Sequence, residues 1–205
     1  MLHEVAFIVY VSCFFLYRLL LYYWTCKPRS CRLTLREEVY SHWVEERLTG
    51  KGNDVFIGIH ALRNLIMANS VFVSALLILL GIIIGFYQED SFNANQTFFG
   101  LEGVSLGLVQ VITNVGIIFI CLYHFIMTIR LAARTSILLT SNPGKTEGGV
   151  DLTKETFLSA QRDWMHGIRG IFYMIAAIAW VLNPVFFLLV TIAITVYILL
   201  KDLRV

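Results

Sequence analysis

VFIGIHALRNLIMANSVFVSALLILLGIIIG, residues 55–85, decides the fold. Arg63 is its one charged residue, and the run is longer than the roughly 20 apolar residues, at about 1.5 Å each, that cross a bilayer core as a helix. Near its start it carries His60, Arg63 and Asn64. An arginine within such a segment is costly unless it reaches water, phosphate or a polar partner. The whole chain agrees with this reading: 58% of its 205 residues are hydrophobic, 15 are phenylalanine, and the net charge is only +2. That composition belongs to a membrane protein, and no basic arm points to a nucleic-acid partner.

Three more spans are expected around this one. The first covers about 5–24, ending at the interfacial aromatics Tyr22, Tyr23 and Trp24. A secretory signal is rejected because no basic region precedes the apolar run, no small-residue cleavage site follows it, and Arg18 interrupts it. The second span covers 55–86 and the third about 103–130. The fourth, about 168–200, contains Asn183-Pro184, where proline removes a backbone bond and should kink the helix. Between the first two spans, Thr34 and Glu37 form a candidate capping box. Leu35, Val39, Trp43 and Arg47 or Leu48 then follow at helical spacing, as in an amphipathic helix lying on the membrane or against the bundle. The expected fold is all-α: a single membrane domain over 1–205, a four-helix transmembrane bundle with cytoplasmic amphipathic helices.

Basic residues set the expected orientation. Lys27, Arg29, Arg32, Arg36, Arg47 and Lys51 follow the first span, and Arg134, Lys145, Lys154 and Arg162 follow the third. The hairpin QEDSFNANQTFFGLE, residues 88–102, has none. With four spans, the positive-inside rule makes both long loops cytoplasmic and puts both termini outside, in a multi-pass protein of a plasma or inner membrane. Asn95-Gln96-Thr97 fits a glycosylation acceptor triplet but lies close to the membrane. Cys26 and Cys31 are spaced to pair, whereas Cys13 and Cys121 sit in apolar runs as fillers.

Each span has an arginine towards its cytoplasmic end: Arg18, Arg63, Arg130 and Arg169. No span has a carboxylate within its apolar body, so these arginines, with Asn64, are expected to bind lipid phosphate or a solute anion. His60, Ser74, Gln110, Asn114, His124 and Asn183 are the candidate polar contacts between helices. His60-Ala-Leu-Arg63 also resembles His166-Gly-Ile-Arg169, as two related helical hairpins would.

Three runs carry a family resemblance: His60 to Ala68 with its Arg63-Asn64 pair, His124 to Arg134, and Gly167-Ile-Arg169-Gly with Trp180 downstream. They resemble an uncharacterised four-span membrane family, domain of unknown function 599, from about Trp43 to Pro184. The family's pattern has glutamine-threonine-leucine before the arginine-asparagine pair, where this chain has His60-Ala61-Leu62. The resemblance implies a membrane fold and carries no activity.

Catalysis finds little support. A hydrolase needs a nucleophile, a base and commonly a carboxylate that orients the base, and the apolar spans offer histidine and serine alone. His60, His124 and His166 are metal-capable residues, but no two have the close spacing of ligands on one helix turn. The sequence specifies no cofactor. The expected function is a non-catalytic membrane subunit in contact with membrane lipids, assembled with itself or in a larger complex. The alternatives are an oligomeric channel or carrier for a small anion or polar solute, and a histidine-metal enzyme.

Overall fold

A computed structural model describes residues 2–25, 32–49, 54–88, 97–101, 104–141 and 143–203. Cys26, Cys31, Asn95 and Gln96 lie outside the described residues, and with them the cysteine pair and the glycosylation triplet. The described chain is all α, without a strand beyond an isolated bridge between Thr97 and Ser105. In order come α1 (Leu2–Thr25), α2 (Arg32–Thr49), α3 (Asp54–Gln88), α4 (Leu106–Thr140), a 3-10 turn (Pro143–Lys145), α5 (Gly149–Leu182) and α6 (Pro184–Leu203). By length and composition alone, 5 of these helices can cross a membrane: all but α2. The chain divides into two compact units.

Unit 1 comprises Met1–Arg32, Leu76–Cys121 and Ile168–Val205. Its axis is the second half of α5, where Tyr173, Ala176, Ala177 and Trp180 are buried. Small residues there let neighbouring helices approach; at Gly170 a Cβ would sit 2.5 Å from the Cys121 sulfur of α4. Along α1, Phe7 stacks on Trp180 at 5.3 Å and the Tyr10 hydroxyl donates to the Tyr173 carbonyl at 3.0 Å. Ala6, Tyr10 and Tyr17 form the buried stripe of α1, at steps of four and seven that keep them on one helical face.

The expected single kinked span over 168–200 is instead two helices lying antiparallel. Phe187 of α6 stacks on Trp180 at 5.0 Å, Thr195 meets the Tyr173 hydroxyl at 3.2 Å, and Asp202 meets Arg169 at 2.8 Å. Asn183 is the cap of the second helix: its side-chain oxygen accepts from the Val185 amide at 2.8 Å. Pro184 takes the first helical position, where a missing N–H costs nothing. That proline cannot bond back to the Trp180 carbonyl four residues earlier. Gln110 of α4 does so in its place, donating Nε2–H at 3.1 Å.

Unit 2 comprises Leu33–Ala75 and Leu122–Gly167. Its core is Val44, Leu62, Ala132, Leu139 and Phe157, one or more from each of α2, α3, α4 and α5. α2 packs through Tyr40, Trp43 and Val44, with Trp43 stacked on Phe157 at 5.2 Å. Leu35 and Val39 face outward, so the packing face is rotated from the expected Leu35–Val39–Trp43 stripe. The aromatic pair supplies more contact area than the aliphatic one. The helix also begins at Arg32, upstream of the Thr34 capping box. Glu37 and Glu45 bond Arg162 at 2.6 Å and Lys154 at 3.3 Å, tying α2 to α5 along its length.

Gln110→Leu is expected to destabilise the protein by about 1–3 kcal/mol, because it strips the Trp180 carbonyl of the donor that Pro184 cannot replace. Thermal unfolding in detergent micelles measures this.

Candidate functional site

In unit 1, a buried charge pair stands near the middle of α5, at Arg169. The Arg169 side chain is 9% exposed and the Asp202 side chain 6%, with Nη2 2.8 Å from Oδ2. The Tyr17 hydroxyl donates to the same Asp202 oxygen at 2.8 Å. The guanidinium also lies 5.8 Å over the Tyr17 ring. Three helices thus meet at one charge pair: α1 through Tyr17, α5 through Arg169 and α6 through Asp202. The pair corrects the expectation that no carboxylate serves these arginines. Asp202 comes within reach only because the chain reverses at Asn183, which a kinked single span would not permit. Its meeting with Arg169 also puts the start of α5's apolar half and the end of α6 at the same end of the helix pair.

At the other end of unit 1, amides serve the backbone. Gln110 and Asn114 are fully buried on α4, one turn apart, and both donate to α5, to the carbonyls of Trp180 and Ala177. Trp180 Nε1–H donates to His3 Nδ1 at 3.2 Å, and Glu4 accepts from the Phe99 amide at 2.7 Å. Phe99 has a φ of 55°, a left-handed conformation uncommon for a non-glycine residue.

In unit 2, His124 of α4 faces α5. Its Nδ1 is 2.8 Å from the Asp163 carboxylate, and its ring centroid is 5.2 Å from that of His166. Asp163 and His166 are three residues apart on α5 and share a face. Thr128, one turn along α4, bonds the His124 and Ala160 carbonyls.

The remaining sequence candidates lie on surfaces. Arg63, Asn64, Arg130 and His60 are exposed, as is Arg18, whose guanidinium sits 5.7 Å over Phe14. Ser70 and Ser74 are exposed and bond back to carbonyls of their own helix. The polar stripe of α3 therefore faces out, while Gly58, Leu62 and Asn69 face in. The two His-x-x-Arg tetrads have different surroundings: His60 and Arg63 are exposed, whereas Arg169 is buried and His166 stands against His124. Among the described residues, no three His, Cys, Asp or Glu side chains converge as a metal-binding group.

Sequence reasoning missed Tyr17, Asp163 and Asp202. Asp163 stands three residues before His166, a spacing that puts both on one helical face, and Asp202 is the carboxylate at the end of the C-terminal apolar run. Both signals were present in the chain; what they lacked was the partner helix.

The family model described as "Protein of unknown function, DUF599" matches residues 5–204, beyond both ends of the region that carries the resemblance in the sequence. No curated protein and no solved structure matches the chain.

Removing either partner of the buried pair, by Arg169→Met or Asp202→Leu, is expected to cost about 3–5 kcal/mol, because an uncompensated charge or its unmatched site remains. The double variant Arg169→Met/Asp202→Leu should recover most of that loss. Unfolding of the four proteins in micelles forms the double-mutant cycle, and additive losses would show that the two groups do not act as a pair.

Proposed function

The chain belongs to the DUF599 family, and from that premise we propose that it is a non-catalytic multi-pass membrane protein that crosses the bilayer five times and grips inner-leaflet lipid phosphate with surface arginines. The observation that carries this reading is the company those arginines keep. Arg63 shares its exposed helical face with Met67, Arg130 with Tyr123 and Ile126, and Arg18 with Phe15, all of them exposed. A cation emerging from an apolar helix surface is stable where its stem lies in hydrocarbon and its head reaches phosphate. The guanidinium fork suits phosphate oxygens better than a point charge does. Arg169, sealed against Asp202, is not one of the lipid-binding group in this reading; its role is to hold α6 to α5.

The crossing pattern supports an N-terminus outside and a C-terminal end inside. With α6 reversed, Lys201 joins the basic loops on the cytoplasmic side, in keeping with the positive-inside rule. Assembly belongs to the same proposal: the outward face of α3 carries Ser70, Ser74 and Gly81, and a Cβ at Gly81 would meet nothing within 4 Å. Small residues on a spanning helix favour close approach by another helix, so a second copy or a larger membrane complex is the expected partner.

Two measurements test the proposal. Single cysteines placed at Lys145 and Lys201 should be labelled only from the cytoplasmic side of intact cells, and one at Thr97 only from outside; outside labelling at Lys201 would overturn the crossing number. Arg63→Met should lower retention of anionic lipid in native mass spectrometry about tenfold, with Arg63→Lys intermediate. Equal retention in all three proteins would remove the lipid role.

A further inference from the structure

The helix pair α4–α5 of unit 2 carries a second polar cluster that the lipid-binding reading leaves unused. An ionised carboxylate only accepts hydrogen bonds, so the 2.8 Å contact with Asp163 puts the proton of a neutral His124 on Nδ1. The other ring nitrogen, Nε2, then keeps its lone pair and leaves the ring on the side away from Asp163. His166 follows Asp163 by one turn on the same helix, and the two imidazole centroids lie 5.2 Å apart with planes tilted by 36°. Two imidazoles on one tetrahedral zinc, each with a Zn–N bond of about 2.1 Å, hold their ring centres about 5 Å apart.

From this juxtaposition we propose that His124 and His166 together bind a borderline divalent transition-metal ion, such as Zn²⁺ or Cu²⁺, with Asp163 orienting His124 from behind. The parts have the right chemistry. Imidazole nitrogen suits zinc, copper and nickel over magnesium or calcium. A metal-binding histidine characteristically donates its second N–H to a carboxylate, which fixes the ring and raises its basicity. The two histidines come from different helices, so a bound ion would tie α4 to α5 beside the Thr128–Ala160 bond. The protein supplies two nitrogens, consistent with the lack of any converging three-residue group among the described residues. Water or a solute must complete the coordination, which makes the site open and exchangeable rather than a permanent structural centre.

The test uses the full-length protein in detergent micelles, stripped with a chelator and titrated with ZnCl₂ by calorimetry, and loaded with Cu²⁺ for pulsed electron paramagnetic resonance. The expected result is one saturable Zn²⁺ per chain, no response to Mg²⁺, and a Cu²⁺ spectrum coupled to two imidazole nitrogens. Asp163→Asn should weaken binding about 10–100-fold, the usual cost of losing the carboxylate behind a ligating histidine. His124→Gln and His166→Phe should abolish binding, the phenylalanine preserving a ring at its position, and the exposed His42→Gln should leave it unchanged. The spectrum of the unsubstituted protein decides even if a variant fails to fold. No saturable binding, a copper signal with fewer than two imidazoles, or binding that survives His166→Phe or ignores Asp163→Asn would overturn the proposal and leave a pair of packed rings.

Discussion

A carbonyl that proline cannot satisfy governs the C-terminal half of unit 1. In apolar surroundings each backbone polar group needs a partner within the protein. Pro184 has no N–H for the Trp180 carbonyl, and the chain's answer is a helix end instead of a kink. Asn183 caps a new helix, Gln110 serves the carbonyl from α4, and α6 runs back along α5. The stack of Trp180 on Phe187 fills the bend. Everything below depends on that reversal, down to the pairing of Asp202 with Arg169.

The four arginines that look equivalent along the chain are sorted by the helical face each occupies. Arg169 points into its unit and meets an acid and a tyrosine; Arg18, Arg63 and Arg130 point out. The two environments ask different things of the same side chain. A buried guanidinium is tolerable only with a counter-charge beside it, whereas an outward one needs only reach. Histidines divide similarly: His60 is exposed, while His124 is fixed by Asp163.

The helices themselves were legible in the sequence because long uncharged runs admit few other conformations. Val55–Gly85 lies wholly within α3, and the run that includes Gln110 and Asn114 lies in α4. The reversal at Asn183-Pro184 was legible in principle, since asparagine then proline is a cap followed by a first helical residue. A proline in a long apolar run also fits a kink, and length alone did not decide between them. Facing was harder to read. On α2 the two stripes Leu35–Val39 and Tyr40–Val44 are both apolar, and only the presence of Phe157 across the interface selects the second. On α3 His60 and Ser74 were the expected contacts with another helix, but the inward side is the one bearing Gly58 and Leu62. The acids Asp163 and Asp202 escaped notice because their partners come from other helices, and spacing along one helix carries no trace of that.

The Arg169–Asp202 pair has a consequence for the order in which the protein is made. Synthesis proceeds from the N-terminus, so Tyr17 and Arg169 both exist before the ribosome has reached Asp202, and the whole of α6 separates the two charges in time. During that interval the half-finished protein holds a cation at a position whose neutralising group has not been translated. Arg169 therefore gains its counter-charge only when α6 has folded back along α5, and α1, α5 and α6 can close around the pair only once this last helix is in place.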